Sequence, residues 1–91
     1  MLFMVHYEIE PHNRDTSYGR IQALGGDGTP PGVKVIGTWS SVTHLEGWVV
    51  AEATDIVLIG KWMRVWTDLN VNHITPIVDP DTQREIMTSK L

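Results

Sequence analysis

His6 and His73 lie in strand-like segments near opposite ends of a 91-residue chain, and they are its best-placed groups for proton chemistry. An imidazole changes charge near neutral pH, so two on one surface can act as general base and proton shuttle. If the first and last strands are antiparallel neighbours with Leu2 opposite Ile77, His6 falls directly across from His73. Directly opposed residues share a face. The competing reading is an edge or seam position with both rings hydrogen-bonded and inert, and a one-residue slip would destroy the pairing. Glu52 is the third catalytic candidate. It follows Trp48 and Val50 at two-residue spacing, so it shares their face, where a carboxylate can act as base or orient His6. Its bland alternative is a strand-end glutamate paired with Lys34. Trp39 and Trp48, with Val50, form an apolar wall suited to a planar aromatic ligand, or equally a seal between subunits.

Other combinations carry less. His12 and His44 fall in loops and give no ligand spacing with the other histidines, so no metal site is expected. Gly25-Gly26-Asp27-Gly28 follows a helix instead of leading from a strand into one, which is the wrong context for a phosphate loop. Ser40, Ser41 and Thr43 stand near His44, but adjacency in a loop is not a nucleophile–base geometry. Trp62 and Trp66, at helical spacing, read as packing. The chain has no cysteine, so thiol chemistry, disulfides and cysteine-ligated zinc are excluded, and no cofactor is implied. A net charge of −4 with seven scattered Lys and Arg argues against duplex nucleic acid and anionic membranes as partners. No segment approaches the roughly 18 apolar residues of a membrane span. The N-terminal apolar run stops at His6 without a basic lead, too soon for a signal peptide, so a cytoplasmic protein is expected.

The elements that must position these residues follow from periodicity and punctuation. Residues 2–9 form a strand, ended by Glu10-Pro11. Residues 13–24 form a helix capped by Asn13 and stopped by Gly25-Gly26. A loop with Pro30-Pro31 leads to a hairpin of strands 33–41 and 46–53, in which a symmetric turn sets Trp39 opposite Trp48. Asp55 caps the second helix, whose apolar stripe runs through Leu58, Trp62, Val65, Trp66 and Leu69. The last strand, 71–78, carries Pro76 and belongs at an edge. Asp79-Pro80 then opens a short C-terminal helix.

Leu2–Val5, Val33–Trp39 and Gly47–Ala51 are apolar at both odd and even positions, which implies burial on both faces. Two helices cover one face of a four-stranded antiparallel sheet in the order βαββαβ, the ferredoxin-like α+β arrangement. The other face is expected to dock a second copy of the chain. Residues 1–78 make a single domain, and residues 79–91 a helical tail that packs on the same domain or its dimer partner. Ile86, Met87 and Leu91 are the apolar residues of that tail.

Phe3-Met4-Val5, Asn13-Arg14, Gly25-Gly26, Pro31-Gly32-Val33-Lys34, Gly37-x-Trp39, Gly47-Trp48-Val49-Val50-x-Glu52, Trp62-x-x-x-Trp66-x-Asp68-Leu69 and Pro76 occur in that order. In this pattern the chain resembles a family of bacterial domains of unknown function grouped with the dimeric α+β barrels. The resemblance implies a fold and a sheet-to-sheet homodimer, not a reaction. It departs from the family pattern at Ser40, where a histidine is often found, near Ile21, where an aromatic is common, and at His73, where an acid is frequent. The expected function is binding of a small apolar or aromatic molecule between the two sheets. The alternatives are a cofactor-independent, monooxygenase- or cyclase-like enzyme using His6 and His73, and a structural dimer without a ligand.

Overall fold

A computed structural model describes residues 1–90; Leu91 lies outside the described residues. Alternation along β1 (Leu2–Ile9) sends Phe3, Val5 and Ile9 into the core, and Leu2, Met4, His6 and Glu8 to the opposite face. β1 is central: β3 (Glu46–Glu52) pairs along one side, β4 (Asn70–Ile77) along the other, and β2 (Lys34–Ser40) flanks β3. All pairings are antiparallel, giving the expected four-stranded α+β sheet in the order β2-β3-β1-β4. Leu2 pairs with Ile77, which sets His6 opposite His73, and Trp39 pairs with Trp48, both as the sequence implies. Pro76 lies on edge strand β4, as its missing amide requires.

α1 (Arg14–Leu24) follows a 3₁₀ turn at Pro11–Asn13 and stops at Gly25, whose φ of 72° is the left-handed conformation that favours glycine. Asn13 makes no capping bond; its Nδ2 donates to the Leu69 carbonyl at 3.4 Å, tying the start of α1 to the approach of β4. α2 (Ile56–Met63) is capped by Asp55, whose carboxylate accepts from the Val57 amide at 2.9 Å. The apolar stripe continues to Leu69, but the regular helix ends at Met63. Beyond it the amides of Val65, Trp66 and Leu69 bond three residues back and those of Thr67 and Asn70 four, a mixed winding that the stripe alone does not show.

Ile59, Trp62, Met63 and Trp66 meet Phe3, Val5, Val49, Ala51 and Ala53 in one core, with Ile21 of α1 packed against it. Both helices therefore cover one face. The other face is bare among the described residues, with Trp39 58% and Val71 55% exposed. α3 (Pro80–Thr88), capped by Asp79, has no buried residue, and its Ile86 and Met87 are exposed. The radius of gyration is accordingly 14.9 Å, against about 12 Å for a compact chain of this length. Phe3, fully buried in mid-sheet, anchors the core. Phe3→Ala is expected to cost about 3–5 kcal/mol in chemical denaturation, whereas Glu85→Ala on exposed α3 stays within ~0.5 kcal/mol.

Candidate functional site

The sheet face under the helices changes character along its length. Toward the Leu2 end it is dry, with Phe3, Ala51 and Ala53 under Ile59. Toward the other end the inward row runs Ser40, Gly47, Tyr7, Asn72 across the four strands, with Thr38 and Val49 beside it. Gly47 leaves the Tyr7 ring room to lie against the backbone; a Cβ there would overlap the phenol. Polar and small side chains cannot fill the layer as Phe3 does, and a cavity of about 250 Å³ opens above them. Its far wall is Ser17, Tyr18 and Ile21 from α1 and Trp62, Met63 and Trp66 from α2 and its continuation.

Both indole N–H groups of that wall, Trp62 Nε1 and Trp66 Nε1, donate to the Asp27 carbonyl, each at 2.8 Å. This holds the glycine-rich loop over the cavity and places the half-buried Asp27 side chain on its lining. Arg20 closes the outside. Its guanidinium forms a two-pronged pair with Asp68 at 2.7 and 2.8 Å and lies 5.6 Å from the Trp66 ring centroid. Burial raises the Asp27 carboxyl above its ordinary value. Burial and, secondarily, the Asp27 charge raise the Tyr7 phenol.

His44 enters from the β2–β3 connection. It is the one non-glycine residue with positive φ among those described, at 56°, a conformation that costs energy and clusters at functional sites. Its ring stands edge-on between Tyr7 and Tyr18, with centroids at 6.4 and 5.4 Å. His44 Nε2 and Asn72 Nδ2 are both shut off from solvent with no hydrogen-bond partner. Buried polar atoms of native proteins are normally paired. Both atoms belong to residues that line the cavity.

The sequence-derived candidates lie on the opposite face. Trp39, Trp48, His6 and His73 form one transverse row. The His6 ring stacks on Trp48 at 5.3 Å and 5°, and on His73 at 5.7 Å and 30°. Val50 lies in the next row on this face, paired with Met4. Glu52 is not brought to the histidines: it pairs with Leu2 and Lys34, four residues along β3 from Trp48. The carboxylates that do reach the imidazoles are Glu46, 3.5 Å from His6, and Glu8, 3.4 Å from His73. His6, Glu8 and Glu46 place possible metal-ligand atoms within 4.8 Å of one another, a grouping that the spacing of histidines along the sequence does not reveal.

Tyr7, Asp27, His44 and Asn72 are the residues that sequence reasoning passes over, and His44 and Asp27 sit in loops that carry no periodicity. The signal for the cavity is nevertheless there. Thr38, Ser40, Asn70 and Asn72 are polar at inward-pointing strand positions, where an apolar residue would otherwise close the layer.

Compared with known proteins, the whole chain, residues 1–91, matches the family described as Domain of unknown function (DUF3303), and it belongs to that family. No curated protein and no solved structure matches it.

The two perturbed aspartates give opposite pH dependences. Asp27 holds its proton more tightly folded than unfolded, so its ionisation costs stability as pH rises from the unfolded value near 3.9 through the raised folded value. Asp27→Asn is therefore expected to raise Tm at pH 7 by on the order of 1–3 °C, after allowance for its partial exposure, and not at pH 3. Asp68 is held low by its hydrogen bonds from Arg20, so its contribution is present above about pH 4 and lost on acidification through the depressed folded value. Arg20→Met should flatten the fall of Tm below pH 4 relative to wild type, measured by thermal melts across pH 2–7.

Proposed function

We propose that this DUF3303 protein binds a small, planar aromatic or largely apolar molecule bearing one polar end, in the cavity between its sheet and its helices. The observation that carries this reading is the pair of solvent-excluded, unpartnered atoms, His44 Nε2 and Asn72 Nδ2, in a cavity walled by Tyr7, Trp62 and Trp66. Aromatic walls with a few convergent polar groups are the usual make-up of a small-molecule site. The ligand's ring lies against the indoles, and its hydroxyl or carbonyl meets Asn72 and His44. The site so placed lies within each chain, rather than between two sheets.

The same proposal includes a homodimer of the dimeric α+β barrel type, formed through the helix-free face. Supporting it are an exposed tryptophan, Trp39, on the helix-free face of edge strand β2 and an amphipathic α3 with no buried residue of its own. A chain this short buries only about 60% of its unfolded surface, so covering Trp39 and Ile86 with a second copy adds apolar burial that one chain lacks.

A second reading, a cofactor-independent enzyme, is favoured by one specific observation. A strained histidine and a carboxyl raised by burial line the same cavity, and together they supply a base and an acid. In that case His44 and Asp27, not His6 and His73, are the groups that reach a substrate held in the cavity.

Native mass spectrometry of the purified protein is expected to show a retained small molecule. Tryptophan fluorescence titrations with one- and two-ring phenols and aromatic carboxylates should give saturable quenching. His44→Ala and Asn72→Ala should each weaken binding by about tenfold, the scale of one buried hydrogen bond, with Tm little changed. Equal affinity in wild type and both variants would remove the cavity reading. Light scattering should report about twice the chain mass, with Trp39→Glu and Ile86→Glu shifting it toward monomer; a monodisperse wild-type monomer at micromolar concentration sinks the dimer.

A further inference from the structure

On the helix-free face, Glu8 and Glu46 are direct cross-strand partners on β1 and β3. Like charges in that relation repel, so the pair calls for a cation. The residues around it are imidazoles. His6 Nε2 lies 3.5 Å from Glu46 Oε2, and His73 Nε2 lies 3.4 Å from Glu8 Oε2. The His6 ring is fixed by its stack on Trp48, and its Nε2 is closed to solvent and makes no hydrogen bond within the chain. A nitrogen held in place, dry, unpaired and facing two carboxylates has the attributes of a metal ligand.

We propose that His6, Glu8 and Glu46, with His73 as fourth ligand, bind a first-row divalent metal ion such as Zn²⁺. Nitrogen and oxygen ligands at about 2.0–2.2 Å on a tetrahedron are about 3.4 Å apart, so the two imidazole–carboxylate separations already match. The core trio has its ligand atoms within 4.8 Å of one another, and Glu8 and His73 are exposed enough to rotate the remaining distance. A mixed imidazole and carboxylate set suits zinc and its neighbours in the first row rather than calcium, which takes six to eight oxygens. A divalent ion carries the charge that offsets both carboxylates. The site lies on the opposite face of the sheet from the cavity and stands independently of the ligand reading.

The test uses the full chain stripped with chelator, titrated with Zn²⁺ by calorimetry at pH 7.5 and with Co²⁺ by visible absorption. One ion per chain is expected, with a tetrahedral cobalt spectrum and a Tm that rises with zinc. His6→Ala and the near-isosteric Glu46→Gln and Glu8→Gln should each weaken affinity by about tenfold or more, while His12→Ala leaves it unchanged. Circular dichroism confirms that each variant is folded before titration. Absence of saturable binding overturns the proposal, and so does binding retained by both His6→Ala and Glu46→Gln or lost in His12→Ala.

Discussion

Two tryptophans donating to one carbonyl organise this molecule. An indole N–H buried without an acceptor is costly, and Trp62 and Trp66 both use the Asp27 oxygen. Sharing it requires the two indoles to converge, and over that stretch the chain beyond Met63 mixes three- and four-residue hydrogen bonds. It requires the Gly25–Gly28 loop to cross over the helical layer, with its glycines taking the positive φ values the crossing needs. Once that loop is fixed, the Asp27 side chain has little choice but to face inward. The Arg20–Asp68 pair over Trp66 then locks the same corner from outside.

The sheet below shows a division of labour by row. Toward the Leu2 end the inner face is apolar, with Phe3, Ala51 and Ala53, and the outer face sets Leu2, Met4, Val50 and Ile77 beside Glu52, Lys34 and Thr75. Toward the Glu8 end both faces turn polar, with Tyr7 and Asn72 inside and His6, Glu8, Glu46 and His73 outside. Dry packing under the helices at one end fixes the strands, and the other end carries the polar groups.

Much of this is legible in the sequence because strand alternation is strict. The His6–His73 and Trp39–Trp48 pairings follow from counting along apolar runs, and the element order follows from caps and glycines. The end of α2 does not, since an apolar stripe records which residues face inward and not whether each amide reaches three or four residues back. His44 and Asp27 are illegible for a different reason. Loop residues acquire their surroundings only after distant segments fold, and neither a backbone angle of +56° at a histidine nor a doubly used carbonyl leaves a periodic trace. Glu52 shares the face the alternation assigns it, but alternation says nothing of distance along the strand.

Residues 6, 7 and 8 of β1 alternate between the two polar surfaces: imidazole outward, phenol inward, carboxylate outward. Deleting His6 would shift the two residues that follow by one place, driving a charged carboxylate under the tryptophans and throwing the phenol into the open. The central strand is thus a reading frame as well as a scaffold. Length changes there are forbidden in a way that side-chain substitutions are not, and the chain has freedom for insertion only where its rows end, in the connections between strands.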